Sequence, residues 1–102
     1  MVIHNKLVRD RIPLIIEKSG KKANTEILES EEYITELDKK LNEECMEYQA
    51  SKDIDELADI MEVIYAIAAA RGYTINELET IRRVKADERG GFADRVFLKS
   101  VE

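Results

Sequence analysis

Glu43, Glu44 and Glu47 fall within five positions, and Glu56 and Asp59 follow after a short break, in the stretch EECMEYQASKDIDELAD. Carboxylates gathered this closely have two chemical uses. They bind hard divalent cations, which prefer oxygen ligands, and they can take a proton from an attacking water. The rest of the chain narrows the choice. His4 is the only histidine and Cys45 the only cysteine, so there is no Cys/His metal set, no Cys–His nucleophile pair and no paired Glu-x-x-His di-iron motif. Mg²⁺, with Mn²⁺ as the alternative, is the expected ion. The competing reading is an acidic helix edge that simply faces water.

Spacing favours the first of these over a water-facing edge. On a helix through residues 31–50, Ile34, Leu37, Leu41, Cys45 and Tyr48 form an apolar stripe. Measured from Leu41, Glu44 lies at about −60°, Glu47 at about −120° and Glu43 at about −160°. On the following helix the stripe is Leu57, Met61, Ile64 and Ala68. Measured from Leu57, Glu56 lies at about −100° and Asp59 at about −160°. A short turn makes the two helices antiparallel neighbours related by an approximate twofold axis. Equal offsets then land on one side, with Glu47 level with Glu56 and Glu44 level with Asp59. Four carboxylates are expected to converge beside the core, with Glu43 farther round. Their repulsion must be relieved by raised pKa values or by a bound cation.

The elements that position them are mostly legible. Pro13 suits the first turn of a short helix and Ser19-Gly20 its end. Residues 23–30 read as a connector, with a short strand possible at Thr25–Leu28. Ser30 is the expected cap of the first long helix, with Glu31 and Glu32 favourable in its first turn. Asp53 is the expected cap of the second, which ends near Arg71-Gly72. Thr74 and Glu77 make a capping box, and Gly90-Gly91 should stop that helix. The final FADRVFLKS reads as a strand or a docking tail.

The fold class is therefore all-α: an antiparallel helical hairpin with accessory helices, forming one domain over residues 1–102. Ile60 to Ala70, IMEVIYAIAAA, is apolar around nearly its whole circumference, so it must be covered on more than one side. A four-helix bundle completed by self-association, as a dimer or tetramer, is expected. Cys45 should be a small buried hydrophobe on the core stripe.

Composition sets the outer limits. The 102 residues carry a formal charge of −6, with 44% hydrophobic and 37% charged residues. Residues 26–62 hold fourteen acids and three bases, and the remainder thirteen bases and eight acids. An acidic centre argues against a nucleic-acid polymer as partner, because it would repel phosphates. No apolar run reaches the roughly 18 residues of a membrane span. The charged N-terminus lacks a signal-peptide core, and the lone cysteine offers no internal disulfide, so the expected location is cytoplasmic.

Three stretches in order, NKLVRDRIP, the acidic motif and KADERGGF, resemble the MazG-like all-α nucleoside triphosphate pyrophosphohydrolases over residues 5–92. The acidic motif matches as two glutamates, two spacers and a glutamate, then Glu-x-x-Asp. The resemblance implies Mg²⁺-dependent cleavage of a nucleotide substrate between the α and β phosphates, giving a nucleoside monophosphate and pyrophosphate. It implies that Glu44, Glu47, Glu56 and Asp59 hold the metal, and that Glu43 and Glu47 serve catalysis by orienting or activating water. Lys6 and Arg9 in the first stretch, and Lys85 and Arg89 in the last, are the implied phosphate-binding cations. Only eight residues separate Glu47 from Glu56, fewer than in many members, so a tight turn is expected. House-cleaning of NTP or dNTP is the leading activity, and hydrolysis of phosphoribosyl-ATP in histidine biosynthesis the alternative. A non-catalytic helical dimerisation module is the competing class.

Overall fold

The computed structural model describes residues 1–102 and contains four α-helices and no strand. They are α1 (Ile12–Lys18), α2 (Ser30–Ser51), α3 (Ile54–Ala70) and α4 (Ile75–Arg89). None is long and apolar enough to cross a membrane.

Local chemistry explains most boundaries. Pro13 stands in the first turn of α1, and Gly20 follows its end at φ +91°. The capping box of α4 forms in both directions. The Glu77 amide donates to Thr74 Oγ1 at 3.0 Å, and the Thr74 amide donates to Glu77 Oε1 at 3.4 Å. Gly90 ends α4 at φ +81°, its N–H donating to the Ala86 carbonyl. Asp53 is the N-cap of α3, although its side chain makes no capping bond.

Four expectations are corrected. Ser30 is the first residue of α2 rather than its cap; Glu29 holds the cap position in extended conformation. Thr25–Leu28 is not a strand, and neither is FADRVFLKS. A ladder needs a neighbouring backbone to receive its hydrogen bonds, and neither segment has one. Cys45 is exposed rather than buried.

The reason for that last difference is rotational phase. α2 packs on α3, and α4 packs on α3, while α1 packs on no helix. The residues that become buried between the paired helices are Leu37, Val63 and Glu44. On α2 the packed face is centred near Leu37 and Glu44, roughly 50° from the apolar stripe through Leu41. On α3 it runs through Glu56, Ile60, Val63 and Ile67, roughly 100° from Leu57. The stripe residues of α3 stay open instead, with Met61 51% and Ile64 36% exposed. Asp38 meets Arg71 at 3.5 Å far from the turn, and Glu44 meets Glu56 and Asp59 nearer to it.

Such a chain leaves much apolar surface uncovered. Its radius of gyration is 17.9 Å, against about 13 Å for a compact domain of this length. Three buried residues are far too few to balance the conformational entropy of ordering the chain.

Candidate metal centre

The phase shift moves the acidic residues from the side of the helix pair into its seam. One carboxylate oxygen from each of Glu44, Glu56 and Asp59 can be chosen so that all three lie within 4.8 Å of one another. Glu44, one turn beyond Lys40 on α2, is 93% buried, and Glu56 and Asp59 sit one turn apart at the start of α3, half-buried. Asp55 and Glu56 in the first turn of α3 also favour its N-terminus.

Two oxygens in this group have no partner. Glu44 Oε2 and Glu56 Oε2 are buried without a hydrogen bond. A buried acceptor left unpaired costs free energy, more so when it carries charge, and an ion or water must satisfy it. Burial, followed by the neighbouring Glu47 carboxylate, pushes the Glu44 carboxyl pKa above its ordinary value, with Lys40 opposing.

Three cations already surround the cluster. Lys40 Nζ lies 3.3 Å from Glu44 Oε1 and 3.3 Å from Glu43 Oε2. Lys6 Nζ lies 2.9 Å from Glu43 Oε1, and Arg9 Nη2 lies 2.6 Å from Asp59 Oδ1. The hydrogen bond from Lys6 holds the Glu43 carboxyl below its ordinary pKa, and the same bond raises that of Lys6. Glu43, Glu44, Glu56 and Asp59 thus face three positive groups, a net of −1, and Glu47 beside them adds a further negative charge.

The expected site residues divide into four groups. Glu44, Glu56 and Asp59 come together. Glu47 stands exposed beside Glu44, outside the three-residue group, and Glu43 faces Lys6 and Lys40. Lys6 and Arg9 reach the cluster from the N-terminal arm of the same chain. Lys85 and Arg89 are exposed on α4 and form no ion pair with it. Lys40 is the residue that sequence reasoning passed over. Its signal was available, because a lysine three and four positions before two glutamates lies on the same helical face.

Oxygen-only donors, two of them unpaired and one almost wholly buried, suit a hard divalent cation; the absence of nitrogen and sulfur donors disfavours Zn²⁺. Mg²⁺ needs few protein carboxylates, since it keeps several waters and takes further ligands from phosphates. No family model, no curated protein and no solved structure matches this chain.

Proposed function

We propose that this protein is a Mg²⁺-dependent nucleotide pyrophosphohydrolase of the MazG-like kind, cleaving a nucleoside triphosphate between its α and β phosphates. The observation that carries this reading is the buried Glu44, with an unpartnered oxygen, beside Glu56 and Asp59. Lys40 engages Glu44 only at Oε1, which leaves the buried Oε2 for a bound cation to complete.

Glu44, Glu56 and Asp59 would hold the ion, and Glu47 would reach it from the solvent side. Bound there, Mg²⁺ would offset charge on the phosphate oxygens and lower the pKa of a bound water. The remaining work falls to side chains. Glu47 is exposed and has no ion pair, so it is free to take a proton from water. Glu43 suits that role less, because Lys6 and Lys40 both hold its charge; it positions those two cations instead. An open hollow of about 510 Å³ runs past Glu43 and Glu47 along α2, giving a solvent-borne nucleotide access to them. Lys85 and Arg89 are free to meet phosphates once α4 of this or another copy approaches.

The same reading takes α2 and α3 as an antiparallel hairpin that a second copy completes to a four-helix bundle. Met61 and Ile64 are open on α3, and a hollow of about 370 Å³ between α2, α3 and α4 is lined by Leu41, Ile64, Ile67, Tyr73, Leu78 and Ile81. That uncovered surface is also what a purely structural dimerisation module would present.

The deciding experiment incubates the protein with NTPs, dNTPs and phosphoribosyl-ATP, with and without Mg²⁺, and identifies the leaving group. Mg²⁺-dependent pyrophosphate release, lost in Glu47→Gln and Glu56→Gln, is the expected result. Release that survives in both variants refutes the assignment of the ligands. No release from any substrate leaves the dimerisation module.

A further inference from the structure

The N-terminal arm, residues 1–11, is tied to the rest of the molecule in an unusual way. The helix that follows it, α1, packs on no other helix, and the arm's two long-range ion pairs both end on the acidic cluster. Arg9 engages Asp59, one of the three grouped carboxylates, whereas Lys6 engages Glu43, which lies outside that group. The two anchors therefore differ in what an incoming cation does to them.

We propose that Arg9 and a divalent cation are alternative partners of Asp59, so that metal entry releases Arg9 while Lys6 keeps the arm tethered at Glu43. This rests on the reading of Glu44, Glu56 and Asp59 as metal ligands. The energetics favour exchange. Arg9 and Asp59 are 57% and 38% exposed at their side chains, and ion pairs that open to water are worth little. A divalent ion held by three carboxylates outcompetes a single guanidinium of that kind, and repulsion between the two cations adds to the displacement. The released guanidinium stays beside the metal because Lys6 is three residues away. Its fork of N–H donors matches a phosphate bidentately. In the metal-free chain Arg9 shields the cluster; in the loaded chain the same group is presented to the anionic substrate. The arm thus couples metal occupancy to substrate capture.

The test is calorimetric titration of MgCl₂ into the full chain and into the Arg9→Gln and Arg11→Gln variants, with NMR of the Arg9 side-chain Nε–H resonance in the unmodified protein. Arg11 is exposed and forms no ion pair, so its variant reports the effect of losing a nearby charge alone. Arg9→Gln is expected to bind Mg²⁺ about two- to five-fold more tightly than Arg11→Gln, as removal of a weak competing pair requires. The Arg9 resonance should move toward its free-solution position as Mg²⁺ saturates. Equal Mg²⁺ affinity in the two variants, or an Arg9 resonance unmoved at saturation, overturns the exchange and leaves the metal site standing. Absence of Mg²⁺ binding to the unmodified chain overturns both.

Discussion

Replacing Glu44 by Gln should stabilise the protein without metal and weaken its response to metal. Glu44 is the most buried acid in the chain, and one of its carboxylate oxygens lies within 4.8 Å of one from each of Glu56 and Asp59. In an effective dielectric of about 20, two unit charges 4.8 Å apart repel by roughly 3.5 kcal/mol, so the two neighbours together impose roughly 7 kcal/mol. Lys40, 3.3 Å away, returns roughly 5 kcal/mol on the same scale. Arg9 shields Asp59 and water reaches part of the cluster, so a residual penalty of about 1 to 2 kcal/mol is the reasonable expectation. Glutamine keeps the volume, loses the charge and gains an N–H₂ group that can donate to Glu56 or Asp59. At fixed protein concentration in EDTA, Glu44→Gln should therefore melt about 5 to 10 °C above the unmodified protein. Mg²⁺ at one hundred times its Kd would add about 2.7 kcal/mol to the unmodified protein and less to the variant, closing the gap between them. Differential scanning fluorimetry with and without Mg²⁺ reads both halves. A variant that melts at or below the unmodified protein in EDTA would refute the account of a repelling buried cluster. Equal stabilisation of both proteins by Mg²⁺ would remove Glu44 from the ligand set.

Two further outcomes follow from the same geometry. Ile64→Lys, which places a charge on the uncovered face of α3, should leave a species of 11.7 kDa by light scattering; native protein already at that mass refutes the four-helix assembly. The Lys6–Glu43 pair should matter only above the acid range. The hydrogen bond from Lys6 holds the folded-state pKa of Glu43 below the ordinary carboxylate value, so its contribution is complete above that ordinary value and is lost as pH falls through the folded one. Glu44 works in the opposite sense, since a raised carboxyl pKa withdraws stability as pH climbs above 4.5 toward the folded value. Thermal melts from about pH 3 to pH 6 should show Lys6→Gln less stable than the parent by under about 1 kcal/mol at the upper end, converging at the lower end. A gap that widens toward acid would contradict the assignment.

Helix ends were the most readable part of this molecule because they depend on neighbours in sequence. Thr74 with Glu77, Gly90 and the Ser19-Gly20 pair each act within one turn, and each does so in the structure. Rotational phase was less readable. The apolar stripes through Leu41 and Leu57 suggest which faces meet, yet the chain has more apolar surface than one helix pair can cover. The pair closes through Leu37 and Val63, and Leu41's stripe is left partly open with Met61 and Ile64. That rotation puts Glu44 at the centre of the seam and leaves Glu47 outside it. The side shared by the acids was thus legible from angular offsets, but the depth of each was not. Lys40 entered the sequence reading only as one of three bases in an acidic region, although its position relative to Glu43 and Glu44 placed it among them.

The connection between α2 and α3 consists of Lys52 and Asp53 alone, with Lys52 in the left-handed conformation at φ +60°. Two residues cannot absorb an insertion without turning the helix that follows. One residue added within the first turn of α3, ahead of Glu56, would turn Glu56 and Asp59 by roughly 100° about the helix axis relative to the linker and carry them away from Glu44. The linker therefore works as an indexing stop. It sets the angle at which Glu56 and Asp59 on α3 face Glu44 on α2.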